Sequence, residues 1–325
     1  MTASEPRVSV VVPVRDRRAL LRRLLDALAR QTATDHEVVV VDDHSRDGPE
    51  EEVVADARAG RCVRLVRNPG TGAVAARRAG VDAAVAPLLA FTDSDCVPEP
   101  GWLAAGLARL EAGADVVQGV TRPLRRPRPL ERTVAVDRDD GLYATCNVFY
   151  RRTAYDAAGG FDLDAEVRLG FRPGSRLRDL GLGEDTLLGW RVRRAGTAAF
   201  APDAVVHHHV FEPDLVESLR RAWTAGAFPS LVREVPELRD TLLADRVILG
   251  DPARLSLHVA ALALVGGRRR LGAAALAGWA VGRARQVQAT SWQRKAASLP
   301  ALLAIDAVAT AALVAGSVRA RTVVL

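Results

Sequence analysis

The feature that most constrains the fold is an alternation of strand-length apolar runs with helical patterns in the first third of the chain. Val8–Val14 is an apolar run of strand length, and the leucines that follow it recur at the spacing of one helix face. Further strands are predicted at residues 37–41, 62–66 and 88–92, with a helical segment before each of them. Strands that alternate with helices indicate an α/β fold with a mostly parallel sheet flanked by helices.

The later part of the chain changes in character. A strand is predicted at residues 143–150 and a helix at Glu184–Ala195, and beyond residue 212 the sequence predicts helices almost to the end. We therefore expect two domains. Residues 1–212 hold the sheet, and residues 213–325 form a helical carboxyl-terminal extension.

Composition excludes a fibre, a disulfide scaffold and a disordered tail. The chain has 325 residues, of which 49% are hydrophobic and 26% are charged, so it can bury a sizeable core. Cys62, Cys96 and Cys146 are far apart and form no C-x-x-C pair, which argues against both a disulfide framework and a structural zinc site. We expect three buried thiols.

Acidic residues follow two of the predicted strands at their carboxyl ends. Asp42 and Asp43 end the second strand, and Asp93 and Asp95 follow the fourth. In open α/β sheets ligands bind outside the carboxyl ends of the strands, so these carboxylates predict a ligand site. The alternative is that they cap the following helices, which explains one such pair more readily than two.

Asp93 and Asp95 are spaced to share one divalent cation. Carboxylate oxygens are the ligands that Mg²⁺ and Mn²⁺ prefer, and two carboxylates leave coordination positions open for substrate phosphates. Such a cation would neutralise charge on a departing diphosphate. Many Asp-x-Asp triplets are only solvated turns, so this prediction depends on the position of the triplet at a strand end.

Other phosphate-binding signals surround the third helix. Gly70 and Gly72 permit close approach of the backbone to a ligand, and Arg77 lies one turn inside the helix, within reach of phosphate. No G-x-x-x-x-G-K-[ST] segment occurs and Lys295 is the only lysine, which excludes a P-loop NTPase. No G-x-G-x-x-G follows the first strand, which argues against hydride transfer.

Several short segments occur in an order that is typical of one enzyme family. They are VVVPVRD at 10–16, VDDHS at 41–45, ARRAG at 76–80, TDSD at 92–95, Asn147 with Arg151 and Arg152, GFD at 160–162, and GED at 183–185 with Trp190 and Arg191. Together they resemble the family 2 glycosyltransferases, which have the GT-A fold, over roughly residues 8–209. Two positions depart from the family pattern. Arg78 replaces an Asn of the third helix, and Asp16 replaces an Asn that usually follows the first strand.

The resemblance implies an inverting glycosyltransferase that moves a sugar from a UDP- or GDP-sugar to a hydroxyl of a glycan or lipid-linked acceptor, with Mg²⁺ or Mn²⁺ as cofactor. It implies Asp185 as the catalytic base, although that residue could instead only cap its helix. The implied donor-binding residues are Pro13, Arg15, Asp43, Arg77 and Asp93. The implied acceptor-side residues are Asn147, Glu184 and Trp190. The implied metal ligands are Asp93, Asp95 and His208.

The three consecutive histidines cannot all serve one site. Side chains alternate along a strand, so His207 and His209 face one way and His208 the other. His208 is the best match to the histidine that relatives often have near the metal, and a packed histidine without a ligand role is the alternative. Acceptor selection is expected in the loops at residues 121–140 and 163–183.

Two rival functions fit part of the pattern. A nucleotidyltransferase on a related sheet would also need a metal-binding aspartate, but the glycine- and lysine-rich phosphate loop expected near its first strand is missing from the sequence. A non-catalytic, membrane-associated scaffold would keep the fold without turnover. Exchange of Asp185 for Asn separates these possibilities. A transferase should lose transfer activity but still bind its donor, whereas a scaffold should be unaffected.

The net charge of +6 is unevenly distributed. Residues 268–325 contain nine basic residues and one acidic residue, Asp306, and so carry +8, whereas the preceding 267 residues carry −2. An electropositive end predicts an anionic partner. Trp279 and Trp292 are the only aromatic residues there, too few for base stacking, so we expect an anionic membrane surface and no nucleic acid.

Residues 298–318 are long and apolar enough to span a bilayer, but Asp306 lies near their middle, where a charge costs about 2.5–3.5 kcal/mol. Helices that lie on the membrane face are therefore favoured, with an ordinary helical subdomain as the alternative. The amino terminus has no basic leader followed by an apolar segment. We expect a cytoplasmic protein that is peripheral at the inner face of the plasma membrane.

Overall fold

The computed structural model describes residues 5–128, 130–171, 183–250, 253–286 and 291–325. The chain divides into two compact units. The described residues of the first unit are 5–124, 134–166 and 183–209, and the remainder belong to the second. The predicted domains, 1–212 and 213–325, stay a prediction; the units differ from them chiefly because residues 125–133 and 167–171 group with the carboxyl-terminal helices.

The first unit contains all the strands of the sheet. They are β1 Val8–Val14, β2 His36–Asp42, β3 Val63–Arg67, β4 Leu88–Phe91, β5 Cys96–Pro98, β6 Val116–Pro123, β7 Val148–Arg151 and β8 Ala198–His208. The helices up to β8 are α1 Arg18–Leu28, α2 Glu50–Arg58, α3 Ala73–Ala83, α4 Trp102–Glu111, α5 Arg152–Ala157, α6 Ala165–Arg168 and α7 Glu184–Ala195.

The eight strands form one mixed sheet in the order β3-β2-β1-β4-β7-β6-β8-β5. Strands β3, β2, β1 and β4 are mutually parallel, whereas β7 runs antiparallel to both of its neighbours and β5 antiparallel to β8. The predicted α/β fold with a helical carboxyl-terminal segment is confirmed. The sheet is mixed because two of its strands return against the direction of the others.

The core of the first unit lies on β1 and the helices that cover it. The valines of β1 at positions 8, 10, 11 and 12 are fully buried, and α1 turns a face of leucines towards the sheet. Each such side chain removed from water contributes about 1.5–3 kcal/mol. Helix α3 approaches β1 so closely at Gly80 that a Cβ there would lie 2.4 Å from a methyl carbon of Val11.

The order of the strands reverses direction at β1. Strand β2 lies on one side of β1 and β4 on the other, so successive connections leave the sheet centre in opposite directions. Such a reversal opens a crevice at the carboxyl ends of the neighbouring strands. The residues that follow β1, β2 and β4 are the strand-end groups that the sequence singled out.

The second unit is helical. Its helices are α8 Leu215–Thr224, α9 Phe228–Glu234, α10 Leu238–Thr241, α11 Ala253–Val265, α12 Arg269–Gln286 and α13 Trp292–Ala320, with a 3-10 turn at Ala225–Ala227. Helix α13 packs against α8, α9 and the 3-10 turn, and α11 packs against α12. Among the described residues, α13 is the one helix that is both long and apolar enough to cross a membrane, with a mean hydropathy of 2.0 in its most apolar window.

Asp306 lies inside the second unit and is neutralised there. Its carboxylate is 1% exposed and accepts hydrogen bonds from Trp279 Nε1 at 2.9 Å, Arg283 Nε at 2.7 Å and Arg254 Nε at 3.2 Å. The carboxylate that interrupts the apolar segment therefore joins three helices of the chain.

The thiols follow the prediction only in part. Cys96 and Cys146 are buried, but Cys62 is exposed, so the expectation of three buried thiols is wrong for Cys62. Cys62 lies just before β3 at the edge of the sheet, where no further strand covers it.

Candidate active site

Asp43 holds the loop after β2 against the loop before α3. Its buried carboxylate accepts the Gly72 backbone N–H at 3.0 Å and the Asn68 side-chain amide at 2.6 Å. Gly72 has a φ of 89°, a conformation that glycine adopts readily and other residues rarely do. A nitrogen of Arg15, which is exposed, lies 3.5 Å from the second oxygen of Asp43. The carboxylate predicted to contact the nucleotide is thus fixed by hydrogen bonds from its own loops, and it lies beside the guanidinium group of Arg15.

The end of β1 is tied to the same edge of the sheet. Pro13 is half-buried and pairs in register with Val41 of β2. Asp16, with a φ of 50°, accepts the backbone N–H of Arg46 at 2.8 Å, and its own N–H donates to Ser45 Oγ at 3.1 Å. Asp16 therefore joins the loops after β1 and β2, which keeps the predicted donor-binding residues of both strands together.

Arg77 connects the end of β4 to the start of α7. Its guanidinium lies 2.8 Å from Asp93 Oδ1 and 3.4 Å from Glu184 Oε1. Arg77 and Glu184 are buried, whereas the side chain of Asp93 is 26% exposed. Burial by itself lowers the pKa of Arg77, but the two carboxylates outweigh that effect and hold it above the usual value. Arg77 thus stays charged and brings together a predicted donor residue and a predicted acceptor-side residue.

Asp185 follows Glu184 in the first turn of α7 and holds its proton unusually tightly. Burial of the carboxyl group raises the pKa of Asp185 to about 8, and repulsion from Glu184 acts in the same direction. The Thr186 N–H at 2.7 Å opposes this shift, as does Arg77. The residue as a whole keeps partial contact with solvent although its carboxyl group is largely desolvated. A carboxylate with a pKa near neutrality is suited to accept a proton from a hydroxyl group.

Asp95 is the centre of a second charged group. His208 Nε2 lies 3.5 Å from Asp95 Oδ1, and a guanidinium nitrogen of Arg17 contacts Oδ2. The antiparallel pairing of β5 with β8 sets His208 beside the acid. His207 faces the other way and lies 2.9 Å from Glu99. Of these two histidines, His208 is the one next to the predicted metal ligand.

Three buried polar atoms near these carboxylates have no hydrogen-bond partner in the part of the chain that the structure describes. They are Arg77 Nε, Thr92 Oγ1 and the Tyr150 hydroxyl. Burial, together with the charge of Asp185, raises the pKa of Tyr150 well above its usual value, so the hydroxyl stays protonated. Buried polar groups are nearly always paired, so these atoms indicate a place that water or a polar ligand completes.

Asn147 and Trp190, which the sequence predicts on the acceptor side, have their polar groups hydrogen-bonded inside the fold. Asn147 is fully buried: its amide oxygen accepts from Trp102 Nε1 at 2.8 Å, and its amide nitrogen donates to two backbone carbonyls at 2.8 Å. Trp190 is buried and donates to the Gly141 carbonyl at 2.8 Å. Because these hydrogen bonds join separate parts of the chain, both residues stabilise the fold.

Asp93, Asp95 and His208 offer oxygen and imidazole ligands of the kind that a divalent cation takes. Within the described ranges, no three His, Cys, Asp or Glu side chains converge as a ready-made metal site. A cation held by these residues would need further ligands to complete its coordination. Arg17 and Arg77 now hold oxygens of Asp95 and Asp93, so a bound cation would have to share these carboxylates with the guanidinium groups or displace them.

Sequence reasoning missed three residues of this site. Arg17 and Asn68 follow β1 and β3, so the rule that selected the strand-end aspartates applies equally to them. Tyr150 lies inside β7, where an aromatic residue is ordinary core, and it has no local signal that points to the site.

The mixed eight-stranded sheet, with charged groups at the carboxyl ends of its central parallel strands, has the arrangement of the GT-A fold of glycosyltransferases. The solved structure of a mannosyltransferase from Pyrobaculum calidifontis in complex with GDP-Man and Mn²⁺ has this fold: the similarity covers 98% of this chain and 87% of that one, with a TM-score of 0.54 and 21% identity. The sequence model for glycosyl transferase family 2 matches residues 9–155. Residues 9–155 therefore match the family that the motifs predicted, and Glu184, Asp185 and His208 lie beyond the matched residues.

Curated relatives agree with the family. Glycosyltransferase AglE of Haloferax volcanii is 34% identical over 123 residues, which are 37% of this chain and 40% of the relative. The undecaprenyl-phosphate 4-deoxy-4-formamido-L-arabinose transferase of Pseudomonas fluorescens is 32% identical over 165 residues, 46% of this chain and 48% of the relative. The chain therefore spans less than half the length of each of these relatives.

Proposed function

We propose that this protein is an inverting glycosyltransferase that moves a sugar from a nucleotide-sugar donor to a hydroxyl group. The observation that supports the proposal is the chain of contacts from Asp93 through Arg77 to Glu184, because it joins the neighbour of Asp185 to the carboxyl end of β4. Asp185 takes the proton of the acceptor hydroxyl, and the resulting oxygen attacks the anomeric carbon opposite the departing diphosphate. A single displacement inverts the configuration at that carbon.

Donor binding is assigned to the edge formed by β1, β2 and β4. Asp43 accepts hydrogen bonds from the base or ribose, and Arg15, Arg77 and Asp93 line the path towards the diphosphate. Pro13 sets the direction in which the chain leaves β1. The GDP-Man in the Pyrobaculum calidifontis structure supports a GDP-sugar, and a UDP-sugar is the alternative.

Asp93, Asp95 and His208 would hold the cation, Mg²⁺ or Mn²⁺. When bound, it would supply the positive charge that stabilises the leaving diphosphate. Arg17 and Arg77 stand next to these ligands, and their guanidinium groups would donate to phosphate oxygens of the donor. The Mn²⁺ in the related mannosyltransferase structure supports this assignment.

The proposed acceptor is a hydroxyl of a glycan or of a lipid-linked molecule at a membrane. The relative named as an undecaprenyl-phosphate transferase supports a lipid-linked acceptor, and the charge of +8 on residues 268–325 supports work at the inner, anionic membrane face. The loops at residues 121–140 and 163–183 are proposed to select the acceptor. Residues 129 and 172–182 of these loops lie outside the described residues.

Thermal-shift measurements with UDP, GDP and their sugars, each with and without Mn²⁺, test the donor site. We expect one nucleoside diphosphate to stabilise the protein only when metal is present, by about 2.7 kcal/mol at a ligand concentration 100 times its Kd. Asp93→Asn should abolish this effect, whereas the exposed Asp164→Asn should not. Absence of stabilisation by every nucleotide would contradict the proposal, and turnover of a nucleoside triphosphate to pyrophosphate would favour the rival nucleotidyltransferase.

A further inference from the structure

The turn between α11 and α12 exposes large apolar side chains next to three arginines. Leu262 is 74% exposed and Val265 is 89% exposed. Residues 264–271, which include Arg268, Arg269 and Arg270, are all exposed. We call residues 262–271 the hairpin tip.

The two helices of this hairpin pack through small residues. Ala260 and Ala263 are 2% and 5% exposed, and a Cβ at Gly272 would lie 2.7 Å from the Leu264 side chain. A helix pair in water normally turns its leucines and valines towards the contact. Here small residues supply much of the contact, with Leu264 over Gly272, whereas Leu262 and Val265 are exposed. Small residues at the contact are typical of helices that pack within lipid.

The hairpin contains basic residues but no acidic residue of its own. No Asp or Glu occurs in the sequence from residue 253 to residue 286. Arg254 and Arg283 bind Asp306 inside the unit, whereas Arg268, Arg269 and Arg270 are exposed at the tip. The exposed apolar area and the exposed positive charge therefore lie on the same ten residues.

We infer that the hairpin tip binds an anionic lipid bilayer, with Leu262 and Val265 inserted below the head groups and the three arginines at the lipid phosphates. Guanidinium groups pair with phosphate, and the apolar side chains reach hydrocarbon just beneath it. Nucleic acid is a less suitable partner than lipid, because it would leave Leu262 and Val265 without an apolar environment. A second copy of the chain is also less suitable, because contact between two hairpin tips would bring two arginine triplets together and their positive charges would repel.

This inference rests on the proposed membrane setting and names the element that makes the contact. The test is flotation of the full chain with vesicles of phosphatidylcholine alone or mixed with phosphatidylglycerol. We expect binding to the anionic vesicles and little to the neutral ones. The triple variant Arg268→Gln, Arg269→Gln, Arg270→Gln should bind anionic vesicles about 100-fold more weakly. Leu262→Ser with Val265→Ser should weaken binding about tenfold or more.

Matched controls separate the tip from general charge and hydrophobicity. Arg30→Gln, Arg58→Gln, Arg109→Gln removes the same charge from exposed positions of the first unit. Val54→Ser with Val85→Ser removes valines that are 45% and 64% exposed in that unit. Both controls should float as the parent protein does, and thermal unfolding should be similar for all four variants.

The outcomes are distinct. Loss of flotation in the tip variants alone supports the inference. Flotation of the tip variants at the parent level, or equal loss in the matched controls, overturns it while the membrane setting survives. A parent chain that fails to float, or that binds neutral vesicles equally well, overturns it together with the anionic-membrane part of the proposed function. Glycosyl transfer to a water-soluble acceptor is measured separately and does not depend on any of these results.

Discussion

Two aspartates of the candidate site differ in what surrounds them, and that difference assigns their tasks. Asp185 lies beside another carboxylate in a desolvated position, which favours the protonated form at neutral pH. Asp95 lies against the guanidinium of Arg17 and the imidazole of His208. The first arrangement suits proton transfer and the second suits a cation.

Exchange of Asp185 for Asn should remove proton transfer and leave donor binding intact. The amide keeps the size of the side chain but cannot take a proton, so we expect kcat to fall by a factor of about 100 to 10,000. Steady-state transfer kinetics together with calorimetric donor titration check this result. A matched exchange, Asp164→Asn, should leave both measurements unchanged. Full activity in Asp185→Asn would exclude this residue as the base.

The pH dependence of activity should show the raised pKa of Asp185. The base works only when ionised, so kcat/KM should rise with pH and level off near pH 8, falling about tenfold for each unit below that value. Initial rates measured at constant ionic strength check the profile. A rate that is flat from about pH 6 to 9 would contradict the assignment.

Removal of the Arg17 side chain should strengthen metal binding in the absence of nucleotide. The guanidinium competes with a cation for Asp95, so we expect Arg17→Ala to bind Mn²⁺ about three- to tenfold more tightly. Electron paramagnetic resonance of free Mn²⁺ during titration measures the change. Arg30→Ala is the control, because Arg30 is an exposed arginine of the same unit. An unchanged or weaker affinity in Arg17→Ala would show that the two cations do not compete.

At the scale of helices and strands, Gly80 in α3 sets how closely that helix approaches the sheet. A methyl group there would lie 2.4 Å from Val11 Cγ1 and 3.0 Å from Val41 Cγ2, both on buried strands. These contacts cannot relax without a shift of the helix. The same helix carries Arg77, so the distance between helix and sheet also sets the position of that guanidinium at the site.

Gly80→Ala should therefore destabilise the protein although alanine favours helices. We expect a loss of about 1–3 kcal/mol from overpacking, measured by urea unfolding. Gly278→Ala is the matched change, because Gly278 is an exposed helical glycine in α12, and it should be neutral or stabilising by up to about 1 kcal/mol. Equal behaviour of the two variants would contradict the close-packing argument.

The sequence predicts those elements whose pattern is local. Continuous apolar runs located β1 to β4, and the helical leucine spacing located α1. The strand predicted at residues 143–150 is present only from Val148, because the Asn147 N–H turns back to the Ala144 carbonyl at 3.0 Å. The direction of β5 and β7 was not predictable. It depends on the path by which the chain reaches each strand from its neighbours in the sheet, and no local pattern records that path.

The candidate site divides in the same way. Asp43, Asp93 and Asp95 were found because they end strands, and the position of a strand end is a local property. The buried position of Asn147 depends on partners from strands far apart in sequence, and nothing near residue 147 indicates it. The contact of Arg17 with Asp95 likewise requires the strand order, which places β1 next to β4.

At the scale of the whole molecule, the two units divide the work that we propose. The strand-end carboxylates, Arg77, Glu184, Asp185 and His208 all belong to the first unit. The hairpin tip and the Asp306 cluster belong to the second. Changes in the second unit should therefore alter where the protein binds, and changes in the first should alter its chemistry.

Asp306→Asn should loosen the second unit and spare the first. Arg254 and Arg283 would lose the charge that compensates them, and disruption of such a buried pair costs about 3–5 kcal/mol. Hydrogen exchange should become faster in α11, α12 and α13 while nucleotide binding persists. Asp245→Asn, at an exposed position of the same unit, is the control. Unchanged protection of these helices would show that the cluster contributes little to stability.

The Asp306 cluster also bears on how such a chain can evolve. A segment with the length of a membrane anchor carries one carboxylate, which binds arginines on two other helices. A lineage that lost this acid would keep an uninterrupted apolar stretch and free the two guanidinium groups. One codon thus separates an apolar helix that is tied to its neighbours by charge from one that has no charge in its middle.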